Sequence, residues 1–208
     1  MPPFNEGNMR GNFTYRGAPN HLPWNVCPVA GNPLDEEELS RLHARAHEYV
    51  VQYLDFFRAH MPGMQAAQIE QTGFALGVRE SRRIRGTATL TARMVLDAAK
   101  QPDAIGHGVW MVDIHDPKGS GYTTFTDAGE HNRLRAGTSY HIPLRMCLNP
   151  HVPNLAVVGR CASSTHEAHS SVRVQTHCMV MGQGVGTAAA MALGGGTELS
   201  AVEVNALQ

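Results

Sequence analysis

Arginine side chains crowd two short stretches of the chain, where they can hold an anionic or hydroxylated molecule. Arg79, Arg82 and Arg83 fall within the stretch RESRR. Their guanidinium groups can bind a carboxylate or a hydroxylated substrate. Pairing with Glu80 and with acidic groups elsewhere is an equally open interpretation of this cluster. Arg160 directly follows an apolar run, and a guanidinium group at that position can pair with phosphate.

Histidines supply the candidates for proton transfer, because an imidazole changes its charge near neutral pH. The chain has 12 histidines, so any single one is more often structural than catalytic. His115 ends a predicted strand between Asp113 and Asp116, and these carboxylates can tune its charge. His166 lies in the polar stretch STHEAHSS, in a predicted loop between a strand and the last helix.

Metal and disulfide chemistry are less well supported. His43 and His47 stand four residues apart on one face of a predicted helix, a spacing that can hold a metal ion. No third ligand of suitable geometry follows, so the sequence predicts two solvated histidines and no metal site. The four cysteines have no CxxC spacing and are predicted to be reduced thiols.

The bulk composition favours a globular protein. Charged residues make up 17% of the chain and its net charge is −1, which gives no electrostatic reason to expect nucleic acid or a membrane surface as a partner. No apolar run reaches the length of about 18 residues that a membrane helix needs. The first residues lack the apolar core of a signal peptide, so a cytoplasmic location is predicted.

The elements that must position these side chains follow from hydrophobic periodicity. A helix is predicted over 35–61, because apolar residues recur at helical spacing, Asp35 can cap its start and Pro62 ends it. A short helix capped by Thr91 is predicted over 91–100, and strands are predicted over 108–116 and 139–148 with a Gly-rich loop, 117–139, between them. A further strand is predicted over 155–159 and a final helix over 176–193. The predicted division is an extended arm (1–34), a substrate or cap domain (35–150), a C-terminal strand–loop–helix (151–196) and a tail (197–208).

The last strand and helix carry two unusual patterns. The run LAVVG is continuously apolar, as in a strand that is buried on both faces of a parallel sheet. The final helix contains Gly182, Gly184 and Gly186, and each glycine costs about 1 kcal/mol relative to alanine inside a helix. These glycines indicate a close backbone approach to a neighbour, which tight packing of helix on sheet would explain without a ligand.

Several of these stretches together resemble a known family. The stretches GVRESRRIRGTATLT, VDIHDP, YHIPLRMCL and NLAVVGRCASSTHEAHSSVRVQTHCMVMGQGVGTAAA occur in this order. They are similar to the C-terminal half of the FAD-dependent oxidoreductases related to glutathione reductase and to fumarate reductase flavoproteins, over about residues 35–193. The resemblance implies an α/β fold of mixed α+β character. A mixed-sheet substrate domain would be joined to the last strand and helix of a two-domain FAD-binding fold.

The resemblance also implies a partner. In such flavoproteins an N-terminal strand–GxGxxG–helix unit binds the ADP half of FAD, and residues 1–208 contain no G-x-G-x-x-G after a strand. Two explanations are open: the chain is a truncated piece of such a protein, or it is a small subunit. We favour the subunit, and expect a second polypeptide to supply that dinucleotide-binding half. The N-terminal arm can wrap such a partner, and the partner's sheet would cover the edge of the apolar strand 155–159.

Residue roles follow from the same resemblance. Gly159 and Arg160 would lie beside the ribityl and pyrophosphate groups. The start of the last helix would face the flavin N1–C2=O2 edge, which gains negative charge on reduction, through the residues Arg173, Val174, Gln175 and Thr176.

The implied reaction is hydride transfer from a substrate C–H, such as the alcohol carbon of a sugar, to flavin N5. His166 or His115 would take the hydroxyl proton. Arg79, Arg82 and Arg83 would bind the small-molecule substrate. The alternative is a non-catalytic structural or binding subunit that keeps the fold without its cofactor.

Overall fold

The computed structural model describes residues 12–13, 21, 24–25, 28–115, 122–123 and 132–206. The chain forms two compact units, of which the first holds Met1–Val78 and His115–Tyr122 and the second holds Arg79–Ile114 and Thr123–Gln208. Most of the predicted arm and of the predicted Gly-rich loop lies outside the described residues. The predicted domain boundaries stay predictions.

The first unit is built on the long helix α1, Glu36–His60, which confirms the predicted helix. The carboxylate of Asp35 caps the helix by accepting a hydrogen bond from the backbone N–H of Glu38 at 2.9 Å. The side chain of Glu38 accepts from the backbone of Asn32 at 3.0 Å, so it binds the incoming loop. Strands β1, Asn12–Phe13, and β2, Trp24–Asn25, pair antiparallel in the same unit.

The centre of the second unit is a two-stranded antiparallel sheet formed by β3, Ala104–Gly108, and β6, Tyr140–Pro143. The predicted strand over 108–116 is wrong in its position, because β3 lies earlier and ends at Gly108. Only a two-residue strand β4, Ile114–His115, forms inside that range, and it pairs with β5, Tyr122–Thr123.

The predicted strand over 139–148 forms only in its first half. After Pro143 the chain turns into a 3₁₀ helix, Leu144–Met146. The alternating apolar residues are nevertheless all buried, as expected from their period of two: Tyr140, Ile142, Leu144, Met146 and Leu148. They form most of the core of the second unit together with Leu90, Val95, Val172 and Met181.

An extended segment joins this core to the C-terminal part of the chain. The backbone N–H of Leu90 donates to the carbonyl of Ser163 at 3.1 Å, and the N–H of Thr165 donates back to the carbonyl of Leu90 at 2.8 Å. Thr91 then caps helix α2, Ala92–Leu96, by accepting from the N–H of Met94. The helix is shorter than predicted and its C-cap is Asp97.

The apolar run 155–159 is not the predicted buried strand. Among the residues that the structure describes, it pairs on one side only, through an antiparallel bridge between Leu148 and Ala156. The side chains of Leu155 and Val158 remain 41% and 39% exposed. The composition of a five-residue apolar run is the same for a strand buried on both faces and for a segment that folds back after a turn. In this protein the segment folds back and pairs with residues around Leu148.

A 3₁₀ helix and two α-helices follow the run. A 3₁₀ helix, Gly159–Cys161, leads to α3, His166–Val172, and then to α4, Gln175–Gly195. Helix α4 confirms the predicted final helix and ends at Gly196, whose φ of 63° is left-handed, as is usual for a glycine at this position. Two further 3₁₀ helices, Leu199–Ala201 and Val204–Ala206, complete the described chain.

The glycines of α4 have two different surroundings. A Cβ atom on Gly184 would lie 2.7 Å from Cβ of Ile105, so this glycine lets the helix pack closely on β3. At Gly182 and Gly186 an added Cβ would meet nothing within 4 Å. Tight packing of helix on sheet therefore explains one of the three.

The protein is of the α/β class, with mixed helices and small antiparallel sheets, as predicted. In the part of the chain that the structure describes, no helix has both the length and the apolar character that crossing a membrane requires.

Candidate functional site

Helix α3 places two histidines on one face. Thr165 caps the helix by accepting a hydrogen bond from the N–H of Ala168 at 3.3 Å. His166 is therefore the first residue of a helix, and its predicted position in a loop is wrong. His169 follows three residues later, so both imidazoles lie on the same side of the helix.

His166 is held by a carboxylate from a distant part of the sequence. Its Nδ1 atom lies 2.7 Å from Oε2 of Glu80, while Arg83 pairs with the other carboxylate oxygen. The side chain of His166 is 46% exposed and that of Glu80 is 24% exposed. With Nδ1 donating to the carboxylate, Nε2 is the ring atom that can accept a proton.

Glu80 is ionised in this arrangement. Partial burial opposes its charge, but the hydrogen bond from Arg83 and the charges of His166 and Arg83 outweigh burial and lower the pKa of the Glu80 carboxyl. The carboxylate can thus orient the imidazole of His166 and stabilise it when it gains a proton. The prediction that Glu80 pairs with the arginine cluster is confirmed for Arg83.

The sequence interpretation missed His169. Its side chain is 1% exposed, Nε2 lies 3.1 Å from the carbonyl of Arg160, and Nδ1 lies 3.9 Å from Oε2 of Glu80. Burial lowers the pKa of His169 to about 4, although the charge of Glu80 opposes this shift. The available signal was the spacing of His166 and His169 after a capping threonine, which predicts a helix with both rings on one side.

The other arginines that the sequence singled out differ in their exposure. Arg79, Arg82 and Arg160 are exposed, whereas Arg173 is partly buried and donates from Nη2 to the carbonyl of Asp113 at 2.9 Å. Burial lowers the pKa of Arg173, and the positive charges of Arg79 and Arg160 lower it further. Arg79 and Arg160 thus both lie close enough to Arg173 to affect its charge.

The turn before α3 and the start of α4 have the features of a ligand-binding backbone. Gly159 has a φ of 74°, which favours glycine. No side chain caps the start of α4 at Val174. Gln175 and Thr176 are exposed there, and the N–H groups of the first turn have no partners within the helix.

Two serines of α3 fix the segment that precedes β4. Ser170 Oγ accepts from the N–H of Asp113 at 2.9 Å and donates to the carbonyl of Glu167 at 2.6 Å. Ser171 Oγ donates to the carbonyl of Trp110 at 2.6 Å. These bonds hold the backbone that receives the guanidinium group of Arg173.

Other predicted residues fall outside this cluster. His115 lies in β4, but its side chain is outside the described residues, as is Asp116. His47 makes hydrogen bonds through both ring nitrogens, to the carbonyl of His43 and to Thr72. Within the described ranges, no group of three or more His, Cys, Asp or Glu residues could hold a metal ion.

The cysteines of the described chain are free thiols, as predicted. Cys147 is buried, and burial raises the pKa of its thiol to about 12. Cys178 is partly buried and donates to the carbonyl of Arg173, and burial raises the pKa of its thiol as well. Neither group is a thiolate at neutral pH.

Comparison with known proteins agrees with the motifs. The chain matches the family of FAD dependent oxidoreductases over residues 3–208. A search of curated proteins finds no match, and a search of solved structures finds none either. Because the match spans nearly the whole sequence, the chain belongs to the FAD-dependent oxidoreductase family.

Proposed function

We propose that this chain contributes the flavin-ring side of an FAD site and the proton-accepting side of a substrate site. The observation that carries the proposal is the bond between His166 Nδ1 and Glu80 Oε2, which orients a half-exposed imidazole. The FAD-dependent oxidoreductase role comes from the family. The subunit arrangement, the substrate and the residue roles are our proposals.

The residues fit one portion of FAD and not the other. The uncapped start of α4 offers N–H groups and the positive end of a helix dipole, which suit the edge of the flavin ring that gains negative charge. Gly159 and Arg160 form a turn that suits the ribityl or phosphate oxygens. Within the described residues there is no parallel sheet with a glycine-rich phosphate loop, so the ADP half of FAD does not fit here.

The proposed reaction is oxidation of a hydroxyl-bearing carbon, such as one in a sugar or other polyol. When bound, FAD supplies a hydride acceptor at N5. His166 accepts the hydroxyl proton at Nε2, and Glu80 stabilises the resulting imidazolium through Nδ1. Arg79 and Arg82 are the exposed members of the predicted substrate-binding cluster, whereas Arg83 holds Glu80.

The location of the second half of the FAD site is also a proposal. We infer that a second polypeptide carries the strand–GxGxxG–helix unit. The exposed side chains of Leu155 and Val158 support this inference, because a partner's sheet would cover them.

Coexpression tests the proposal. The chain is produced alone and together with a candidate partner that carries a strand–GxGxxG–helix unit, and the absorbance spectrum of each preparation is recorded with its subunits identified by mass. We expect a flavin spectrum from the assembly, and reduction of its flavin by at least one member of a panel of sugars and polyols. A colourless assembly that takes up no added FAD would overturn the proposal and favour a structural subunit.

The role of His166 has its own test. Rapid-mixing measurements would follow flavin reduction by the best substrate in His166→Gln, with His151→Gln as the control because His151 is an exposed histidine away from α3. We expect His166→Gln to slow reduction by about 10²-fold or more, the usual contribution of a general base. If His115→Gln slowed flavin reduction by this amount and His166→Gln did not, the role of proton acceptor would belong to His115.

A further inference from the structure

His169 has no role in the reaction proposed above, yet its ring nitrogens face the carbonyl of Arg160 and the carboxylate of Glu80. The ring is almost fully buried in α3, one turn after His166. Its Nε2 atom lies 3.1 Å from the carbonyl oxygen of Arg160. A carbonyl can only accept, so Nε2 carries a proton and a neutral ring leaves a bare lone pair on Nδ1.

The Nδ1 atom of His169 faces a carboxylate without bonding to it. It lies 3.9 Å from Oε2 of Glu80, and among the described residues it has no hydrogen-bond partner although it is buried. Oε2 is the same oxygen that receives the bond from His166 at 2.7 Å. Two imidazole nitrogens therefore face one carboxylate oxygen, and only a nitrogen that carries a proton can donate to it.

The charges around His169 keep it neutral. Burial lowers the pKa of His169 to about 4. The charges of Arg83 and Arg173 lower this pKa further. The charge of Glu80 and the hydrogen bond to the carbonyl of Arg160 oppose the shift. The facing groups are thus Glu80 and Arg83 from the extended segment, Arg160 from the turn, Arg173 after the helix and His166 on the helix itself. Two of these arginines act against a second proton on the ring.

We propose that His169 is a positioning residue for the acid–base pair. It reserves Oε2 of Glu80 for His166 because its own proton is held on Nε2 by the carbonyl of Arg160. The bond to Arg160 also holds the turn Gly159–Cys161 beside α3, so one ring ties the proposed flavin-facing turn to the proposed base. This inference rests on the proposed function for its catalytic consequence, but the position of the proton is independent of catalysis.

Nuclear magnetic resonance of the flavin-loaded protein, labelled with ¹⁵N in its histidine rings, tests the position of the proton. We expect His169 at neutral pH to carry its proton on Nε2 and to show a bare Nδ1, with a second proton added only near pH 4. A proton on Nδ1 at neutral pH would overturn the inference whatever the activity. If His169 behaves as expected but His166→Gln keeps full activity, the proposed function fails instead.

Two amide variants test the consequence for the pair. In His169→Gln the amide N–H can replace Nε2–H and keep the bond to Arg160, and position 169 no longer carries a titrating group. In His169→Asn the shorter amide can present N–H to Oε2 and compete with His166. We expect His169→Asn to lower kcat by about tenfold, a fraction of the full contribution of a general base, and to alter the pH profile of kcat.

The conservative variant provides the rescue. His169→Gln is expected to recover most of the activity that His169→Asn loses, and to keep the alkaline shape of the pH profile. Equal losses in both variants with unchanged pH profiles would show that His169 only fills space, and would overturn the inference. Circular dichroism and melting curves of both variants identify losses that come from misfolding.

Discussion

His166 and Glu80 are 86 residues apart in the sequence, yet Nδ1 of the imidazole lies 2.7 Å from Oε2 of the carboxylate. Two local features bring them together. The extended segment that contains Glu80 bonds along residues 161–165, and Thr165 caps α3 so that His166 begins the helix. The pair is thus fixed by backbone hydrogen bonds on both sides, and a small backbone change at either side would separate it.

The first prediction concerns Glu80. Glu80→Gln removes the negative charge that faces His166 and leaves a neutral amide of the same size. We expect kcat to fall on the order of 10²-fold, because the imidazolium formed during proton abstraction loses its counter-ion. The measurement is kcat for the flavin-loaded protein with its best substrate.

Glu167→Gln is the matched control for Glu80→Gln, since Glu167 is the neighbour of His166 on α3 and its loss removes the same charge. It should change kcat by less than about threefold, since the partly exposed carboxylate of Glu167 is not the one that bonds to His166. Equal effects of the two variants would mean that only the local net charge matters, and the orienting role of Glu80 would be rejected.

The second prediction is a dependence of stability on pH. The pKa of His169 is about 4 in the folded protein and 6.5 in the unfolded reference. Between these values the unfolded chain binds more protons, so the folded state loses stability as the pH falls from about 6.5 to about 4. This loss from His169 is on the order of 3 kcal/mol, from 1.36 kcal/mol for each unit of pKa difference.

Denaturation with urea at a series of pH values measures this loss. His169→Gln has no titrating group at the position, so its stability should fall less steeply over the same interval. Glu80 and His177 also have lowered pKa values and contribute in the same direction in both proteins, so the difference between the two curves reports His169 together with its effect on Glu80. Parallel curves would show that His169 takes up its proton equally in the folded and unfolded states.

The sequence predicted best what local interactions determine. The cap at Asp35, the cap at Thr91 and the final helix each depend on residues within one or two turns, and all three are present. The buried side of 140–148 was also correct, because a period of two marks the apolar face whether or not every residue is in a strand.

The errors arose where distant parts of the chain decide the structure. The run LAVVG has the composition of a buried strand, but it finds a partner only on the side of Leu148 and remains exposed. Helix α3 has few apolar residues and only seven residues in all, so it gives almost no periodic signal. The bond from His166 to Glu80 could not be predicted, because neither local sequence indicates a contact with the other.

The third prediction concerns a buried hydrogen-bond chain. Burial raises the pKa of Tyr140, so its hydroxyl keeps its proton and donates to Ser171 Oγ at 2.9 Å. Ser171 in turn donates to the carbonyl of Trp110. Tyr140→Phe should destabilise the protein by about 1–2 kcal/mol, and Ser171→Ala by somewhat more because it removes both the bond from Tyr140 and the bond to Trp110.

A double-mutant cycle distinguishes this chain from two independent contacts. The variant with both changes should be more stable than the sum of the single effects predicts, by about 1 kcal/mol, since each single change already breaks the shared bond. The free energy of unfolding of the four proteins is measured at neutral pH. Strict additivity would mean that Tyr140 and Ser171 contribute independently.

The fourth prediction uses two glycines of the same helix. In Gly184→Ala the new Cβ atom would lie 2.7 Å from Cβ of Ile105 and 3.1 Å from its carbonyl oxygen, so α4 must move away from β3. The expected cost of such overpacking is about 1–3 kcal/mol. Gly182→Ala is the control, because its Cβ would meet nothing within 4 Å and alanine favours the helix by about 1 kcal/mol. Melting temperatures should therefore move in opposite directions, and a rise in both variants would show that α4 does not depend on close contact at Gly184.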